Sequence, residues 1–172
     1  LFFGHGSANQ MAHEKVFLGD DPGSLQNSHR LPLAMFFSCD LSRFFAPGVD
    51  CIGEKVVYHP GGGAVASIGA TGGTTAPANF AYASMVVDQL TGEGNSMGYS
   101  FWAGKIQAAR AGNSSYYVYL GVPDITLMMA DPRLAVTLQG DTLFSGEINS
   151  VQGEAVSPDG LALLEITESD IP

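Results

Sequence analysis

Basic residues are scarce: seven Lys and Arg stand against 17 Asp and Glu, for a formal net charge of −10. No Lys/Arg stripe is available to neutralise phosphates, which excludes a nucleic-acid partner. The same balance permits a cationic partner or calcium. Long apolar runs are also missing. None reaches the ~18–20 residues of a membrane span, yet apolar residues make up 45% of the 172. That suffices for one domain, or one domain with a small appendage. Several site signatures are absent as well: His-Glu-x-x-His, Cys-x-x-Cys, a Gly-Lys-Ser/Thr after the Gly61–Gly63 run, and a Gly-x-Ser-x-Gly elbow around Ser7 or Ser38. These absences argue against a zinc site, a phosphate loop and a serine hydrolase built on Ser7 or Ser38. His13, His29 and His59 have no metal-ligand spacing with His5. Cysteine is limited to Cys39 and Cys51, 12 positions apart. They fit a disulfide in an exported protein or a nucleophile with a separate structural thiol, and their number alone does not choose.

What is present reads as α/β. Leu1-Phe2-Phe3 is the apolar tail of a strand ending at Gly4-His5-Gly6. Residues 7–30 are polar with turn signals, a long loop expected to carry one short helix around 13–18. "LPLAMFF" is a continuous apolar run, the pattern of a strand covered on both faces, and it ends at Ser38-Cys39-Asp40. "CIGEKVVYH" (51–59) predicts a short helix stopped by Pro60. "GAVASIGA" (63–70) is the next buried strand, and "TGGTTAP" (71–77) is a Gly/Thr loop with Pro77 in the first turn of a helix. That helix runs to Leu90 with Phe80, Ala83, Val87 and Leu90 on one face. Ser96 caps a second helix through Ala111, and "YYVYLG" (116–121) is another strand. The Met and aromatic residues of both helices are read as core. After Asp131-Pro132, "RLAVTLQG" and "LALLEITES" alternate, with "SPDG" as a hairpin turn.

Strand–helix alternation of this kind gives a mostly parallel sheet flanked by helices. Ligands and reactive residues gather at the carboxyl ends of such strands. His5 follows one strand by a single Gly, Cys39 follows another by a single Ser, and the 71–77 loop follows a third. An imidazole, a thiol and a flexible polar loop are thus expected at one edge. Flanking glycines allow close substrate approach and leave the Gly6 N–H free for an oxyanion. A half-exposed thiol with histidine proton chemistry nearby is a nucleophile pattern.

The motifs "GHGS", "LPLAMFFSCDLSRFF" and "CIGEKVVYHPGGGAVASIGAT", with 34 residues from His5 to Cys39, resemble the gingipain family of cysteine peptidases over roughly residues 1–130. That family is caspase-like in fold (clan CD) and includes the signal peptidase of the type IX secretion system. Leu120-Gly121 with Pro123-Asp124 is similar to its closing strand, where a Gly-Asp-Pro order is more usual. The resemblance implies a cysteine endopeptidase. Cys39 would be the nucleophile, His5 the proton shuttle, and the backbone N–H groups of Gly6 and Cys39 the oxyanion hole. Thr71, Gly72 and Gly73 would contact substrate; no Trp stands in that loop, so no preference for Arg or Lys carries over. Glu54 is read as a helix-start carboxylate with a structural role. No cofactor is implied beyond structural calcium, for which Asp20 and Asp21 are candidates, although a solvated acidic turn is the plainer reading.

By the same resemblance, residues 1–130 would be the C-terminal part of a catalytic domain. Residues 131–172 would be a β-rich, immunoglobulin-like segment, a small or incomplete β-sandwich. The expected partners are a protein or peptide substrate and an N-terminal companion chain or domain, in a secreted or cell-surface protein. In the family an acidic residue that orients the histidine precedes Gly-His-Gly; Glu14 and Asp40 are the local candidates here. The chain starts on a strand end with no initiator Met, signal peptide or basic arm, so it is expected to be a processed or excised piece of a longer protein. The alternative function is a non-catalytic surface or assembly module with a degenerate peptidase fold.

Overall fold

A computed structural model describes residues 1–92, 94–110, 116–127, 135–138 and 151–154. It divides into two compact units, Leu1–Leu127 and Met128–Pro172.

In the first unit a four-stranded sheet has the order β1-β5-β6-β7, made of β1 (Phe2–Phe3), β5 (Leu33–Phe37), β6 (Ala66–Ala70) and β7 (Tyr117–Gly121). β1 runs parallel to β5 with Phe2 opposite Phe36 and Phe3 opposite Phe37. β5 runs parallel to β6, and β7 is antiparallel to β6 with Tyr117 opposite Ala70. Every residue of β6 is buried, which explains its unbroken run of small and apolar residues: helices cover both faces. Between β1 and β5 the chain forms three two-residue antiparallel strands, β2 (Gly6–Ser7), β3 (Gln10–Met11) and β4 (Phe17–Leu18), then a 3-10 turn at Asp21–Ser24. The helix expected around 13–18 is therefore absent. Ala12 and Lys15 take left-handed backbone (φ 60° and 55°), which turns the chain back into β4 and interrupts any helical run.

Helix α1 (Ile52–Tyr58) begins where expected. Its N-cap is Cys51, and the Glu54 carboxylate reaches back to accept from Cys51 N (3.0 Å) and Cys51 Sγ (3.1 Å). This is a capping box with a thiol in the usual hydroxyl position. The Glu54 carboxylate is thus committed to the helix start.

Helices α2 (Ala76–Leu90) and α3 (Met97–Arg110) cross between β6 and β7, and α3 starts with the Ser96 hydroxyl accepting from Tyr99 N at 3.2 Å. The buried face of α2 is Asn79, Tyr82, Ala83, Val86 and Leu90. The expected face was rotated by about one residue: Phe80 is 68% exposed and Val87 is also exposed. On α3 the inward residues are Met97, Ser100, Gly104 and Ala108, whereas Tyr99 and Trp102 are more than half bare or nearly so. Small residues face inward here because the helices pack closely. A Cβ on Gly104 would stand 2.7 Å from the Val86 side chain. The aromatic weight of the core comes instead from Phe37, Tyr82 and Tyr117, with the two tyrosine rings 4.3 Å apart.

In the second unit the described residues form one antiparallel pair, β8 (Ala135–Leu138) with β9 (Val151–Glu154). β8 lies within the expected strand at "RLAVTLQG"; the "SPDG" turn and the "LALLEITES" strand lie outside the described residues. Among the described residues no helix is long and apolar enough to cross a membrane.

Two consequences are measurable. Gly63 has φ +97°, a Cβ there would strike the Val56 carbonyl, and its N–H and C=O are both held by the Asn27 side chain (2.7 and 2.9 Å). Gly63→Ala is expected to lower the unfolding free energy by roughly 2–5 kcal/mol in urea titrations. Burial, and then the hydrogen bond to Glu54, push the Cys51 thiol up to about 12. An unfolded cysteine titrates near pH 8.5. Between these values the unfolded chain sheds a proton that the folded chain keeps, so stability falls as pH rises through that window. Cys51→Ala should flatten this alkaline decline, measured as urea midpoints at pH 7.5 and 10. Iodoacetamide at pH 8 should leave Cys51 of the folded chain unmodified.

Candidate active site

The register of β1 on β5 decides the geometry of the carboxyl edge. Phe3 and Phe37 are the last paired residues, and their rings stack at 5.1 Å. Two residues beyond each stand His5 and Cys39, so a parallel pair brings these two backbone positions to the same edge from far apart in sequence, and among the described residues no hydrogen bond joins the His5 ring to the Cys39 sulfur. Gly6 then packs against the Cys39 segment. A Cβ on Gly6 would sit 2.9 Å from Leu41 Cγ and 3.0 Å from the Cys39 carbonyl oxygen, and would strike Ser38 Oγ. Only glycine fits there.

Ala12 N donates to His5 O at 2.8 Å beside the Gly6–Met11 pair. That bond makes Gly6–Met11 a non-hydrogen-bonded pair of the hairpin, so the Gly6 N–H points away from β3. Among the described residues no acceptor takes the Cys39 N–H. Two backbone donors on adjacent segments are thus without an acceptor among the described residues. The His5 ring is exposed, with its centroid 6.0 Å from that of His13. Both rings line a shallow cleft of 160 Å³ together with Gly6, Ser7, Gln10 and Ala12, room for about one side chain.

Cys39 and Cys51 are both free thiols in unlike settings. Cys51 is fully buried and tied to Glu54. Cys39 is half-buried at the strand end, and its neighbour in the chain, Asp40, takes left-handed backbone with φ 58°. The Cys39 sulfur is cradled by one residue that sequence reasoning did not single out, Thr74. The Thr74 N–H donates to Sγ at 3.3 Å, and the Thr74 carbonyl and hydroxyl oxygens lie 3.5 and 3.7 Å from it. A Gly/Thr loop following a buried strand is the only sequence signal that pointed there.

The rest of that loop is pinned in place. Asp40 N donates to Gly72 O at 3.3 Å, and the Thr71 N–H and hydroxyl both donate to Tyr116 O (2.7 and 2.9 Å). Thr71 therefore has its hydroxyl engaged within the fold. Gly72 lies on the Tyr116 ring, and Gly73 is exposed with open space around it. Beneath the loop, Asn79 Nδ2 donates to Phe37 O at 3.1 Å and Tyr117 Oη donates to Asn79 Oδ1 at 2.6 Å. Burial raises the Tyr117 phenol well above its ordinary range, against the opposing pull of the Thr74 hydroxyl.

Among the described residues no hydrogen bond or ion pair joins His5 to Glu14 or Asp40. Asp40 instead meets Arg43 at 3.9 Å. Asp20 pairs with Lys55 at 3.7 Å, and Asp21 accepts from Leu18 N at 2.7 Å. Among the described residues no group of three or more His, Cys, Asp or Glu gathers closely enough to hold a metal ion.

Three solved structures share this fold. One is a protease, 19% identical over 89% of this chain and 40% of its own, with a TM-score of 0.64. A second is the complex of Porphyromonas gingivalis RgpB pro- and mature domains, 20% identical, covering 78% and 35%, TM-score 0.63. The third is the Arg-specific cysteine proteinase gingipain R (RgpB), 18% identical, covering 78% and 34%, TM-score 0.64. The chain spans less than half the length of each. No curated protein matches the chain. The family model of peptidase family C25 matches residues 1–141, most of the chain and all of the edge that carries His5 and Cys39: the chain belongs to peptidase family C25, the gingipain family.

Proposed function

We propose that the chain carries the reactive centre of a cysteine endopeptidase. Residues 1–130 form the C-terminal part of its catalytic domain, and 131–172 begin an immunoglobulin-like segment. The observation that carries this function is the parallel register Phe3–Phe37, which sends His5 and a free, half-buried Cys39 to one sheet edge.

The Cys39 sulfur attacks a peptide carbonyl carbon, forming an S–C bond while its proton passes to His5. The carbonyl oxygen, now negative, is met by the Gly6 and Cys39 N–H groups, two donors without an acceptor among the described residues. His5 gives the proton to the departing amine as the C–N bond breaks, leaving an acyl-enzyme. Water, deprotonated by His5, then cleaves the S–C bond, yields the acid and returns the thiol. Gly73 and its neighbours Thr71 and Gly72 form one wall for the substrate residue before the cut. Thr71 acts there through its backbone, since its hydroxyl is engaged with Tyr116 O.

β1 is a two-residue strand at the sheet edge, where Leu1, Phe3 and Phe80 are exposed. This supports a companion chain or domain seated at that edge, as a pro-domain accompanies RgpB in the solved complex. Such a companion would also supply the carboxylate that His5 lacks among the described residues. The protein acts outside the cell or at its surface, on the strength of its family. That no carboxylate bonds His5 among the described residues also suits the alternative, a scaffold that keeps the fold without turnover.

Cys39→Ala or His5→Ala is expected to cut peptide cleavage by about 10³-fold or more with the thermal midpoint held. The measurement is a peptide-library digest with the full-length protein. A peptidyl acyloxymethyl ketone should label the parent at Cys39 by peptide mass mapping. A parent that neither cleaves nor labels is a scaffold.

A further inference from the structure

Three buried side-chain oxygens have no hydrogen-bond partner among the described residues: Ser38 Oγ, Ser42 Oγ and Tyr82 Oη. Both serines are fully buried. A buried hydroxyl without a partner is less favourable than a methyl group in its place, so alanine would serve better wherever the serine only fills space. The surroundings set the three apart. Tyr82 packs among Phe37, Phe101 and Tyr117 in the core. Ser42 Oγ lies against the backbone of Gly53 in α1 and Gly69 in β6. Ser38 Oγ lies against Gly6, so close that a Cβ on Gly6 would strike it. The other walls of that niche are Leu41 Cγ and the Cys39 carbonyl oxygen, 2.9 and 3.0 Å from where the Cβ would stand. The Gly6 N–H belongs to the His5–Gly6 peptide and the Cys39 N–H to the Ser38–Cys39 peptide. These are the two donors without an acceptor among the described residues. The Ser38 hydroxyl is the side-chain group through which one donor-bearing segment rests on the other.

We propose that Ser38 is a positioning residue whose hydroxyl is a spacer, setting how far the Gly6 N–H stands from the Cys39 N–H. This rests on the cysteine-peptidase reading for its catalytic meaning, since those two groups are the ones assigned to the negative carbonyl oxygen. Donors of that kind work only when held within about 0.5 Å of the productive geometry. Ser38 has no exposed surface and so makes no contact with substrate; it acts through Gly6. Gly6 has no side chain to absorb a change in its neighbour, so in a close-packed niche the size of residue 38 passes straight to the Gly6 backbone. Without the oxygen the niche is open on that side, and Gly6 settles towards β5. Of the three unpaired hydroxyls, only this one touches a segment that carries an oxyanion donor. An unfavourable group retained at that place is the kind of local strain that reactive sites hold.

The test compares the full-length parent with Ser38→Ala and Ser42→Ala, each of which removes one unpaired buried hydroxyl. Both should hold or raise the thermal midpoint, because no hydrogen bond is lost. Only Ser38→Ala should lose turnover. Its kcat and kcat/KM for a peptide substrate should fall together by about 10-fold with KM within about 2-fold, the pattern of an interaction made only in the transition state. Ser42→Ala should stay within about 2-fold of the parent in both. Turnover equal to the parent in Ser38→Ala overturns the proposal. So does an equal loss in Ser42→Ala, or a loss in Ser38→Ala that comes with a lowered midpoint, which would make the serine a packing residue. A second readout needs no turnover. In crystal structures of the parent and Ser38→Ala, Gly6 should stand nearer to position 38 by about 0.5 Å, and an unmoved Gly6 overturns the proposal. A parent that cleaves no peptide ends the peptidase reading, and the displacement of Gly6 then decides the spacer role by itself.

Discussion

Two rungs of parallel pairing, Phe2 on Phe36 and Phe3 on Phe37, are the constraint on which the site depends. Parallel strands end at the same edge, so residues 34 apart in sequence come to that edge together. The stacked rings of Phe3 and Phe37 hold that register from below. A one-residue slip would turn each side chain of the short strand to the other face and carry His5 off the edge. The fit of Gly6 against Ser38, Leu41 and Cys39 makes such a slip costly, since no other residue tolerates that approach.

The two cysteines show how environment, and not residue type, sets chemistry. Cys51 has no solvent, and a carboxylate accepts its proton; both effects favour the neutral form and leave the thiol inert. It works as a helix cap. Cys39 lies at a strand end beside a loop whose backbone donates to its sulfur, with His5 two residues past the end of the neighbouring strand. The same residue type is a sealed helix cap at one position and a free, half-buried thiol 12 residues away.

Much of this was legible in the chain. The unbroken apolar runs at 33–37 and 66–70 report strands covered on both faces, and Gly-rich or Pro-containing stretches mark where they stop. The placing of His5 and Cys39 after consecutive strands followed from that pattern and from strand direction alone. Local signals failed where the answer lay in tertiary packing. The stretch 13–18 had helical composition, but two left-handed residues and pairing with β3 made it a hairpin. On α2 and α3 the bulky residues looked like core, yet close helix packing drew the small ones inward and left Phe80, Tyr99 and Trp102 outside. Thr74, Asn79 and Tyr117 come from three segments, and no spacing rule joins them; only the folded sheet does.

β7 runs against its neighbour, so it contributes its first residue, Tyr117, to the edge where β5 and β6 contribute their last. Helix α3 touches that edge directly, since Lys105 Nζ donates to Tyr117 O at 2.7 Å. The next carbonyl back, Tyr116 O, holds Thr71 at the start of the 71–77 loop. A substitution at Lys105 is thus felt one residue from the anchor of the loop beside Cys39.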